Sequence, residues 1–131
     1  MAYTQLVVHE LSADVIQAGR DFLAELDREQ VPIVAAFWLF DDETSRWTLV
    51  LASPIVEQSG PLVFYRRVGD ILRASGIEAI ISSHLTGVPP DDPIVVRLRN
   101  ALKDVPAGEV RLTGNFLEGM FVPDVLVYCW T

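Results

Sequence analysis

Residues 33–52 read IVAAFWLFDDETSRWTLVLA, two runs of β-forming apolar residues separated by six polar ones. A gap this short and this polar leaves room only for a turn, so the two runs predict an antiparallel hairpin. A four-residue loop over Asp42–Ser45 sets Asp41 opposite Arg46, Phe40 opposite Trp47, Trp38 opposite Leu49 and Phe37 opposite Val50. Alternation then places Val34, Ala36, Trp38, Phe40, Trp47, Leu49 and Leu51 on one face, and Ile33, Ala35, Phe37, Leu39, Thr48, Val50 and Ala52 on the other. Both faces are apolar. A hairpin of this kind must be covered on two sides and belongs near the middle of a sheet.

The flanking segments supply the cover. LSADVIQAGRDFLAELDREQ predicts a helix over about residues 12–29. Ser12 is its N-cap, and Val15, Ile16, Gly19, Phe22, Leu23 and Leu26 recur on one side. Gly60-Pro61 opens a second helix with Phe64, Val68, Ile71 and Leu72 inward, closed by Ser75-Gly76. IEAIIS (77–82) reads as a short central strand and GVPPDDP as a loop. Asp92 and Pro93 start a third helix, with Ile94, Leu98, Ala101 and Leu102 inward. The tail reads as two strands turning near Glu118-Gly119, with Arg111, Thr113 and Asn115 on a wet face. The order α-β-β-α-β-α-β-β predicts an α/β (or α+β) fold. One mixed sheet of about five strands carries three helices in a single globular domain over residues 1–131.

Charge limits the partners. Residues 1–60 carry ten acids and three arginines, and the whole chain is −8, so phosphate-driven nucleic-acid binding is not expected. No apolar run reaches membrane-spanning length, and the N-terminal MAYTQLVVHE lacks the pattern of a secretory signal. The single Cys129 fits a reducing compartment, so the expected location is the cytoplasm.

Chemistry-bearing residues are few. The acidic triplet Asp41-Asp42-Glu43 reads as a solvated turn rather than a metal site, because consecutive acids on a tight turn diverge. Asp91 or Asp92 with Glu109 and Arg111 approaches a metal-nuclease spacing, but arginine cannot act as the base such a site uses. Ser53, Ser82, Ser83 and Cys129 are possible nucleophiles, with His9 and His84 as bases. Arg66, Arg67 and Arg73 on the second helix, with Arg97, Arg99 and Lys103 on the third, would form an anion groove if the two helices were neighbours. Ser53, Arg66, Arg67, Ser82 and His84 are therefore the candidate ligand residues; no metal or other cofactor is expected.

The leading expectation is a non-enzymatic, homodimeric interaction module with a possible further protein partner. Its interface would be an uncovered sheet face bearing Phe37, Trp38, Phe40, Trp47 and Leu49. The alternative is a small enzyme or ligand-binding domain acting on an anionic small molecule.

Overall fold

The computed structural model describes residues 10–106, 108–117 and 119–130, and the backbone alone at Ser82 and 115–117. His9, Glu118 and the N-terminal stretch read against a signal peptide lie outside the described residues. The elements are α1 (Ala13–Arg28), β1 (Ala35–Asp41), β2 (Arg46–Ala52), α2 (Pro54–Ser59), α3 (Pro61–Ser75), β3 (Leu85–Val88), α4 (Pro93–Leu102), β4 (Val110–Leu117) and β5 (Met120–Trp130). They form one mixed five-stranded sheet in the order β3-β2-β1-β5-β4, with β2 and β3 parallel and the other neighbours antiparallel.

The first hairpin has the register the sequence predicts, from Asp41 opposite Arg46 to Ala35 opposite Ala52. Its two faces enter two different cores. Ala36, Trp38, Leu49 and Leu51 join Phe22 and Leu26 of α1 and Phe64 and Val68 of α3. Ala35, Phe37, Val50 and Ala52 join Val95, Leu98 and Leu102 of α4. Ile33 and Val34 exchange faces relative to the prediction, because they precede the strand and alternation does not yet hold there. Helices thus lie on both sides of the sheet. The connection from β3 at one edge to β4 at the other carries α4 beneath the face that α1 and α3 leave free.

Local chemistry sets the element ends. Ser12 Oγ accepts the Val15 N–H at 3.2 Å and Asp92 Oδ1 accepts that of Ile94 at 3.1 Å, satisfying donors that a helix start leaves open. A fourth helix, α2, is one the sequence reading passes over. Ser53 caps it through the Ile55 N–H and Pro54 takes its first position, but six residues are too few for a periodic signal.

The third strand is where expectation and structure part. Residues 77–81 are irregular, a 3₁₀ turn follows over Ser82–His84, and β3 begins only at Leu85. It is an edge strand rather than a central one. The adjacent isoleucines do not straddle a sheet: Ile80 fills the α1/α3 core, while Ile81 is more than half exposed. Gly87 lets α3 close on this edge, since a Cβ there would lie 2.5 Å from the Phe64 ring. The neighbouring Tyr65 hydroxyl accepts the Gly87 N–H at 2.9 Å, blunting an edge that would otherwise offer a free donor.

Beyond the last β1–β5 pair, Leu39 with Val125, the two hairpins separate. Along β5, Asp124 and Leu126 meet β4 across from Thr113 and Arg111, whereas Met120 and Val122 turn into the α4 core together with Val125 and Val127. Pro123 lies at this change of face, opposite a Gly114 whose φ is +64°. That twist leaves a cleft open between the hairpin ends on the α4 side.

Candidate functional site

The residues named from sequence do not converge. Ser53 and His84 flank opposite ends of the β2–β3 ladder, roughly 15 Å apart at strand rise. Ser53 is fully buried and occupied as a cap. Arg67 donates to the carbonyl of Glu29 at 3.0 Å and so closes the C-terminal end of α1, while Arg66 is exposed on α3. Arg73 pairs with Asp70 on its own helix. Because α3 and α4 pack on opposite faces, their arginines cannot build the common anion groove that the sequence allowed.

The aromatic residues proposed as an interface are largely interior. Phe37, Trp38 and Leu49 are at most 1% exposed, Phe40 is buried, and Trp47 is half-buried. Trp38 Nε1 donates to the Tyr128 hydroxyl at 2.8 Å, which donates in turn to the Ile16 carbonyl at 2.8 Å. Helix α1 reaches this relay because residue 19 is glycine: a Cβ there would lie 2.0 Å from the Tyr128 oxygen. Burial pushes the Tyr128 phenol up to about 12, with the Trp38 hydrogen bond working against the shift.

Several cavities open among the described residues, and two of them border the first hairpin. One, of about 660 Å³, is walled by Trp38, Trp47, Ser83 and His84, with Glu10, Asp41 and Arg46 at its margin. The His84 ring stands edge-on to Trp38, centroids 6.2 Å apart. His84 Nδ1 accepts the Ile81 N–H at 3.2 Å, so the neutral ring carries its proton on Nε2. The imidazole therefore offers a hydrogen-bond donor at Nε2. Neither indole donor is free, since Trp47 Nε1 is spent on the Glu10 carbonyl at 3.1 Å. Cys129 is no better as a nucleophile, because burial raises its thiol pKa against a weaker opposing backbone hydrogen bond from Ala36.

The second cavity is the cleft between the hairpin ends, about 470 Å³. Its apolar walls include Leu39, Val50, Val88, Ile94, Met120 and Val122, and Phe121 stands 48% exposed beside it. Asp41, Asp42 and Glu43 form one rim, and no basic residue among the described ones lines the cleft. Asp41 Oδ1 accepts the Glu43 N–H at 2.9 Å, as a turn carboxylate does. No group of three metal-ligating side chains gathers among the described residues.

Sequence reasoning missed two features. The expected wet face of β4 carries a bidentate ion pair: Arg111 Nε and Nη2 donate to Asp124 at 2.6 and 2.7 Å, and Asp124 is fully buried. Arg111 also lies 5.3 Å over the Trp47 ring, and the Asp124 hydrogen bonds raise its pKa. A lone acid inside the apolar run VPDVLVY was the available signal, since a buried carboxylate demands a partner. The cleft had no such signal, because it depends on where two hairpins diverge. No protein family, curated protein or solved structure matches the chain. No helix of the described residues is long and apolar enough to cross a membrane.

Proposed function

We propose that this chain is a non-catalytic interaction module that receives a partner in the cleft between its hairpin ends. One observation carries the reading: the cleft is an apolar, open concavity of ligand size, and none of Ser53, Ser83, His84 and Cys129 lines it. Ser53 and Arg67 are engaged as caps, and His84 Nδ1 is engaged by the Ile81 N–H. The module works in the cytoplasm on this reading, as the single cysteine suggests.

The expectation of a homodimer drew on an uncovered sheet face. Helices occupy both faces, so the partner in this reading is a different molecule. Binding of an anionic small molecule is the second reading, favoured by the His84 Nε2–H and Arg46 around the larger cavity.

Selection from a random peptide display library separates them. The expected ligands lose binding when Thr86→Phe plugs the cleft and keep it when His84→Ala alters the other cavity. Failure to enrich any cleft-dependent peptide, or dependence on His84 instead, would overturn the interaction reading.

A further inference from the structure

We infer that the cleft's occupant is a basic amphipathic segment of a partner protein, an inference that rests on the interaction reading above. Apolar side chains would enter between Leu39, Ile94 and Met120, while lysines or arginines lie along Asp41, Asp42 and Glu43.

Leu39, Val88, Ile94 and Met120 are only half-buried, so an apolar side chain placed among them removes surface already facing water. Such a contact alone would accept any apolar partner. The rim makes the choice. Its three carboxylates are exposed, and none pairs with a base among the described residues, where the ion pairs are Arg20–Glu109, Arg28–Glu25, Arg73–Asp70 and Arg111–Asp124. Arg46, opposite Asp41 in the hairpin, makes no ion pair with the rim, so an approaching cation meets unpaired carboxylates and an approaching anion meets three like charges. The field behind the rim has the same sign, because residues 1–60 carry ten acids against three bases.

The same electrostatics excludes the other occupants. A second copy of this −8 chain would bring like charge to the rim, and a nucleic-acid backbone or an anionic membrane would be repelled. The carboxylates also do not close on one another as a metal cage would, since Asp41 turns an oxygen back to the Glu43 N–H. A segment with apolar residues on one side and bases flanking them satisfies both walls and rim.

The test uses a fluorescently labelled Leu/Lys amphipathic peptide of about four helical turns. A Leu/Glu counterpart and a scrambled Leu/Lys peptide serve as controls. Anisotropy is read with wild-type protein, Thr86→Phe, and the triple variant Asp41→Asn, Asp42→Asn, Glu43→Gln, all checked for folding by near-UV circular dichroism. The expected result is saturable binding of the patterned Leu/Lys peptide, abolished by Thr86→Phe. Neutralising the rim should weaken it about five- to tenfold, a loss that shrinks as salt rises from about 50 to about 300 mM. Equal binding of the Leu/Glu peptide, or indifference to the triple variant, would overturn the basic-partner inference and leave the cleft as an interaction site. Binding indifferent to the Thr86→Phe plug, or matched by the scrambled peptide, would be charge adsorption and would overturn both. So would no binding by any peptide.

Discussion

At the scale of single residues, two buried polar arrangements hold the sheet to its surroundings, and each predicts an asymmetry. Asp124 is fully enclosed while Arg111 keeps about a third of its side chain exposed. Arg111→Met therefore leaves an unpaired buried charge and should cost about 3–5 kcal/mol, whereas Arg111→Met with Asp124→Leu should recover much of that loss. Urea denaturation of the single and double variants checks it. The Trp38–Tyr128–Ile16 relay predicts a pH effect. A phenol whose pKa rises from 10.0 to about 12 on folding holds its proton in the fold and ionises first in the unfolded chain. Its contribution is complete below pH 10 and falls away as pH climbs toward 12, by about 2–3 kcal/mol in all. Tyr128→Phe should cost about 1–3 kcal/mol at neutral pH by stranding the Trp38 N–H, and should flatten that alkaline decline. By contrast, His84→Ala should move stability by no more than about 1 kcal/mol, because the histidine is half-buried and its ring nitrogen Nδ1 bonds to an exposed turn.

At the scale of elements, the edge strand β3 is the weak point. It has four residues, one of them glycine, and depends on Phe64 and Tyr65 of α3 for its cover. Gly87→Val should drive α3 from the sheet. Tyr65→Phe, which frees the Gly87 N–H, should raise aggregation on heating more than it lowers the midpoint, as measured by light scattering during a thermal ramp. How far the elements could be read in advance follows from how local their causes are. The Asp41–Arg46 hairpin register was legible because loop length and alternation decide it. The helices α1, α3 and α4 were legible because their caps and periodic faces lie within their own residues, although on α4 Ala101 is exposed and Val95 fills the core instead. Residues 77–82 were misread, since whether Ile80 and Ile81 straddle a sheet or turn a corner depends on where α3 delivers the chain. The cleft was unreadable for the same reason: Leu39 and Met120 are far apart in sequence and meet only through the divergence of β1 and β5.

At the scale of the whole molecule, helices on both faces turn a chain that is half apolar into a self-sufficient fold. The predicted particle at micromolar concentration is a monomer of 14.6 kDa by light scattering after gel filtration. A concentration-dependent doubling of that mass would mean that a surface outside the two sheet faces is sticky. Among the openings of the described residues are an acid-rimmed apolar cleft and an aromatic cavity whose donors are mostly spoken for. The central claim is that binding belongs to the cleft. The most direct measurement is a backbone amide shift map of isotopically labelled protein titrated with the Leu/Lys peptide. The account predicts changes confined to residues 39–43, 86–88 and 120–122; changes centred on Trp47, Ser83 and His84, or none at saturating peptide, would contradict it.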